Sequence, residues 1–171
     1  MVMSGFWPVT ILVAVFVVLQ STILKNVRVF GVSPDIAFVI FLFTSTRQGS
    51  LRSEVTGFST GLIQDFLSAG PLGLNAFVRT LFGWAFGLFR GRLYLDPILI
   101  PILMAVFGTL AKYFVTFVLM LMFSSRAAAG AVMSTHMWIE MGLNGFFAPF
   151  VLALLRLFKF VRLVDRDEYH R

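Results

Sequence analysis

The sequence predicts an all-α integral membrane protein with six transmembrane helices. Three observations carry that reading. Apolar residues fill 58% of the 171 positions and charged residues only 13%, whereas a soluble domain runs at roughly 45–50% and about 25%. Mean hydropathy is +0.90. Turn and cap signals such as Ser33-Pro34-Asp35, Gly70-Pro71 and Asp96-Pro97 separate six apolar runs. A soluble globular enzyme of this composition would lack the polar residues to cover its surface, and a disordered chain would not be this apolar. The length fits a single membrane domain over residues 1–160, closed by a charged cytoplasmic tail over 161–171.

The first span runs from Phe6 to Leu24 without a charged side chain, enough for a hydrocarbon core that takes about 20 residues. It has no basic n-region, and its apolar run exceeds the roughly 7–15 residues of a signal peptide. The second span opens at Ser33-Pro34-Asp35: Ser33 as cap, Pro34 in the first turn, Asp35 complementing the helix dipole. It ends near Arg47, and its shortness implies little tilt or a locally thinned bilayer. The third starts after Ser50 and ends near Leu67, where Ser68-Ala69-Gly70-Pro71 breaks it. The fourth runs from about Leu72 to Phe89. The fifth starts at Asp96-Pro97 and reaches about Phe123, with Pro101 one turn inside as a candidate kink. The sixth runs from about Met137 to Leu157.

Six spans put both termini on one side. That side holds Arg47, Arg52, Arg90, Arg92, Arg156, Lys159, Arg162, Arg166 and Arg171, and the other holds only Lys25, Arg28 and Arg126. Cytoplasmic loops carry the excess of Lys and Arg, so both termini are cytoplasmic. Lys25 and Arg28 alone argue the reverse; the sum over all loops decides. The net charge of +6 reflects the same bias and an attraction to anionic membrane lipid. No basic patch is interleaved with stacking aromatics, so nucleic acid is not an expected partner. Without cysteine there is no disulfide, thiol nucleophile or thiolate metal site.

Asp65, Arg79, Lys112 and Glu140 fall within the spans. A charge at the bilayer centre costs on the order of 3 kcal/mol, so such residues seek partners in the protein interior. Asp65 lies about one turn before Gly70-Pro71 and Arg79 about two turns after, at similar depth. That spacing predicts an Asp65–Arg79 salt bridge across a helical hairpin; Glu140 sits in the outer half and Lys112 near the midplane, so two cations and two anions balance overall. The set serves either as a substrate or proton site or as a charge network that fixes helix packing; the second is preferred. Ser53, Gly57 and Gly61 recur every four residues, as do Gly83, Gly87 and Gly91. Small residues at this spacing let helices approach closely, and internal packing is favoured over a partner's docking face.

Gly57-Phe58-Ser59-Thr60-Gly61 matches G-x-S-x-G, but that nucleophile needs a strand-turn-helix elbow and here lies in an apolar helix. His136 is an interfacial residue, and with Glu140 it makes a poor metal site. No cofactor or catalytic residue is expected. Trp7, Trp84 and Trp138 fall near span ends, as in an aromatic belt. Asn75 and Asn144 hydrogen-bond across helices by default. Gly73-Leu74-Asn75-Ala76-Phe77 echoes Gly142-Leu143-Asn144-Gly145-Phe146, an echo too short to mark a repeat.

The run Gly61-Leu62-Ile63-Gln64-Asp65-Phe66-Leu67-Ser68-Ala69-Gly70-Pro71-Leu72-Gly73-Leu74-Asn75-Ala76-Phe77 resembles the signature of the bacterial rod shape-determining protein MreD family. Pro34-Asp35, the Arg47-Gln48-Gly49 loop and the segment from Gly87 to Arg92 support it. The resemblance extends over the chain, and residues 34–92 are its specific part. It implies a non-enzymatic inner-membrane scaffold of the cell-wall elongation complex. Such proteins bind MreC and work with the MreB filament, RodA and a class B penicillin-binding protein. The implied fold is similar to the substrate-binding subunits of energy-coupling-factor transporters. Asp65, Gly70, Pro71, Gly73 and Asn75 match the family pattern and are expected to shape the third–fourth hairpin. The fold also keeps a second reading open: a small-molecule transporter's binding subunit, with a polar ligand among Asp65, Arg79, Asn75, Asn144 and Glu140.

Overall fold

A computed structural model describes residues 6–23, 28–68, 70–91, 98–123, 132 and 134–157. Six helices form a bundle: α1 (Phe6–Thr22), α2 (Ile36–Gln48), α3 (Ser50–Leu67), α4 (Leu74–Gly87), α5 (Leu99–Phe123) and α6 (Thr135–Leu157). Consecutive helices alternate in direction. Asp35 marks one end of the bundle and Gly49 the other, and the start of α1 and the end of α6 lie at the Gly49 end. No strand occurs among the described residues; an isolated bridge joins Val29 and Val32.

Helix α2 is the centre. Every residue from Ala37 to Ser45 is buried, and α2 packs against all five other helices. A helix apolar all round has no face to give to water. The bundle's exterior is equally apolar: Ile11, Phe58, Phe107, Phe114, Phe146 and Phe150 are exposed, while Asp65, Arg79 and Asn144 are buried. Apolar outside with charge inside fits a membrane protein and would be untenable in water. Helices α5 and α6 are long and apolar enough to cross a bilayer; α1 and α2 are shorter apolar helices.

The expected glycine packing is realised between α3 and α4. A Cβ on Gly57 would lie 2.5 Å from the Arg79 carbonyl oxygen, and one on Gly61 2.5 Å from Ala76 Cα. From the facing helix, a Cβ on Gly83 would lie 2.5 Å from the Ser53 carbonyl oxygen, and one on Gly87 2.4 Å from Ser50 Cα. The two backbones touch, so these rows are filled from within the chain.

Several boundaries differ from the expectation for local reasons. Asp35, not Ser33, caps α2, accepting from Phe38 N at 3.0 Å. Helix α4 ends at Gly87, so Gly91 does not extend the row; its φ of +73° places it in a turn. Pro101 is the third residue of α5, where no intrahelical N–H is lost, so it begins the helix rather than kinking it. The interior proline is Pro149 in α6. Lys25, Ala69, Arg92, the Asp96-Pro97 helix start, Arg126 and the 161–171 tail lie outside the described residues.

Candidate functional site

The polar residues meet at the Asp35 end in two adjoining sets. The first closes the α3–α4 hairpin. Gly73 takes φ +91°, a left-handed conformation open to glycine, and turns the chain into α4. That turn aims the first amides of α4 back at Asp65, which is 1% exposed. Asp65 Oδ2 accepts from Gly73 N at 3.0 Å and Ala76 N at 3.1 Å. Oδ1 accepts from Asn75 N at 3.0 Å and Asn75 Nδ2 at 2.9 Å. A helix start carries unpaired N–H groups and partial positive charge, so a carboxylate from the preceding helix satisfies both. Gly70 and Pro71 supply the turn between, with the Pro71 carbonyl accepting from Leu74 N.

The second set centres on Asp35. Its Oδ1 caps α2 and also accepts from Gln20 Nε2 of α1 at 2.9 Å. Its Oδ2 accepts from Lys112 Nζ of α5 at 2.9 Å. Its backbone N–H donates to Asn144 Oδ1 of α6 at 2.8 Å, and Asn144 Nδ2 donates to Thr109 Oγ1 at 3.0 Å. Gln20 Oε1 accepts from Ala37 N at 2.8 Å. Lys112 also donates to Glu140 Oε1, and Tyr113 Oη donates to Glu140 Oε2 at 2.6 Å. Asp35 thereby ties α1, α2 and α5 together through its carboxylate and α6 through its backbone N–H.

Arg79 overturns the predicted ion pair. Its partner is Asp35, Nη2 to Oδ1 at 3.9 Å, and not Asp65. The guanidinium lies over the Phe41 ring at 5.8 Å, and neither Nη makes a hydrogen bond among the described residues. Helical rise gave both residues a similar depth, but the first amides of α4 and the Asn75 side chain occupy the Asp65 carboxylate. Lys112 and Glu140 form an ion pair, a partnership the overall charge balance did not specify.

Sequence reasoning missed Asp35 as a hub, and with it Gln20 and Tyr113. A signal was available: Gln20 is the one amide in the first apolar run, and Asp35 opens a helix too apolar to face water. His136 is exposed and lines a polar chamber beside Lys112. Ser59 lies mid-helix in α3 with its hydroxyl donated to the Val55 carbonyl. Trp7, Trp84 and Trp138 are exposed, at positions near helix ends. The five-residue echo has no structural counterpart, since Gly73 precedes α4 whereas Gly142 lies within α6.

Chemically the carboxylates are engaged, while both Arg79 Nη atoms and Gln64 Oε1 are buried without a hydrogen bond among the described residues. Both oxygens of Asp35, Asp65 and Glu140 accept at least one hydrogen bond. Such carboxylates fasten helices; a general base would need an oxygen free for substrate.

No curated protein and no solved structure matches the chain. The family model described as rod shape-determining protein MreD matches residues 2–158. With a match over nearly its whole length, the chain belongs to the MreD family of rod shape-determining proteins.

Proposed function

We propose that this chain is a non-enzymatic scaffold of the bacterial cell-wall elongation complex. It lies in the inner membrane as six spans with both termini cytoplasmic, one membrane domain over residues 1–160 and a cytoplasmic tail over 161–171. It binds MreC and works alongside the MreB filament, RodA and a class B penicillin-binding protein. Through those contacts it maintains rod shape and regulates peptidoglycan synthesis. Its fold is of the type used by energy-coupling-factor substrate-binding subunits, a likeness that rests on the family resemblance. Asp65, Gly70, Pro71, Gly73 and Asn75 shape the α3–α4 hairpin, and Lys112 and Glu140 fasten α5 to α6.

One observation supports contact rather than turnover. The carboxylates of Asp35, Asp65 and Glu140 are all spent on neighbouring helices. Orientation follows from the Lys and Arg distribution. Affinity purification from native membranes in mild detergent, with identification of the co-eluting proteins, tests the proposal. MreC with RodA and the transpeptidase is the expected recovery. An ATPase pair with a coupling subunit would overturn it.

A further inference from the structure

A polar chamber of about 280 Å³ lies at the Asp35 end of the bundle. Asp35, Asn75 and Ser134, at the heads of α2, α4 and α6, contribute to its wall, with Lys112 and Thr116 from α5. His136 is exposed and also lines it, so the chamber reaches the surface there. One turn further along α2 the interior becomes apolar. Lys112 Nζ lies 5.2 Å from the centroid of the buried Phe38 ring, which packs edge-on against buried Phe82.

The wall is more polar than its own contacts use. Thr44, Thr60 and Thr80 donate their hydroxyls to the preceding turn of their helices. The Thr116 hydroxyl, the Ser134 hydroxyl and the His136 ring also face a helix or its head, yet make no hydrogen bond among the described residues. Lys112 carries three N–H donors; Asp35 and Glu140 take two, and its side chain stays 18% exposed. A roomy space lined by unpartnered polar groups holds water, which takes roughly 30 Å³ per molecule. An acyl chain in the same space would leave those groups unsatisfied.

Lys112 is far from the end of its helix: about 17 Å of α5 separates it from Phe123. Over that length Phe114, Val118 and Leu121 are exposed on the opposite face, a surface fit for hydrocarbon. We infer that the chamber is a blind, water-filled vestibule. Water enters from the Asp35 end, reaches the Lys112–Glu140 pair and stops at Phe38. Charged side chains within membrane spans face a protein interior or a water-filled cavity, and Lys112 faces both. The vestibule admits small hydrophilic solutes and excludes acyl chains. This goes beyond the scaffold reading, and its test requires no protein partner.

The chain has no cysteine, so single-cysteine variants report one position at a time. Thr116→Cys places a thiol in the chamber, and Phe114→Cys places one on the exposed apolar face at nearly the same depth. The full chain in intact spheroplasts is treated with a small membrane-impermeant methanethiosulfonate, and the mass shift is read over time. The thiolate is the reacting form, and it forms in water rather than in hydrocarbon. Thr116→Cys should therefore react about tenfold faster than Phe114→Cys. Melting temperature and labelling after denaturation report whether each variant is folded and present. If Thr116→Cys unfolds, Ser134→Cys, in the same wall, carries the same expectation. Equal rates for the chamber and lipid-face thiols would overturn the inference. So would reaction of the chamber thiol from both sides, in spheroplasts and in inverted vesicles, because the floor would then be open. Fast reaction in inverted vesicles alone would support the vestibule and reverse the orientation proposed above.

Discussion

Asp65→Asn is the sharpest perturbation of the hairpin. Asparagine keeps the shape and one acceptor oxygen, and it replaces the other oxygen by an NH2 group. Orienting the oxygen toward Asn75 leaves Gly73 N and Ala76 N facing a donor instead of their present acceptor. A buried donor without a partner costs about 1–3 kcal/mol. The lost negative charge at the start of α4 adds about 0.3–1 kcal/mol. Gly73 N is only part-buried, so the total falls near the low end, about 3 kcal/mol. At roughly 2–4 °C per kcal/mol for a chain of this size, the melting temperature should fall by about 6–12 °C. The assay is thermal unfolding in mild detergent, followed by circular dichroism at the helix band. Asp65→Leu removes both acceptor oxygens and should cost more. The charge swap Asp65→Arg with Arg79→Asp should restore nothing, because arginine offers no acceptor to three backbone N–H groups. An Asp65→Asn protein melting with the wild type, or recovery by the swap, would refute the capping argument.

Gly87→Leu should eliminate the monodisperse species in size-exclusion chromatography, since its Cβ would meet Ser50 Cα at 2.4 Å. Gly142→Ala should instead raise the melting temperature, because nothing lies within 4 Å of a Cβ there and alanine gains about 1 kcal/mol in a helix interior. Lys112→Met leaves Asp35 and Glu140 without their shared cation, at a cost of about 3–5 kcal/mol read as lost thermal stability. Adding Glu140→Gln should return part of that loss, because one of the two stranded charges is gone.

Helix positions were legible because apolar runs and their Pro-Gly punctuation are local signals. The α3–α4 contact was legible for a similar reason: four-residue spacing of Gly57–Gly61 and Gly83–Gly87 lays small residues along one face. The same rule overran at Gly91, where the spacing continues but the helix has ended. Charge pairing was less legible because it depends on helix rotation and on neighbours distant in sequence. Asp35 already had a sufficient local explanation beside Pro34, and its partners come from residues 20, 79, 112 and 144. Asp65 was recognised as important but matched with a side chain, when backbone amides had the prior claim.

The central claim is that the buried charges fasten a scaffold and take no part in turnover. The most direct measurement replaces the native protein in its host with Asp65→Asn, Lys112→Met and Glu140→Gln. It records folded abundance, MreC recovery and cell width for each. All variants should fall on one relation, with width control lost only in proportion to folded, MreC-bound protein. A variant that is abundant, folded and MreC-bound but fails to keep cells rod-shaped would contradict it.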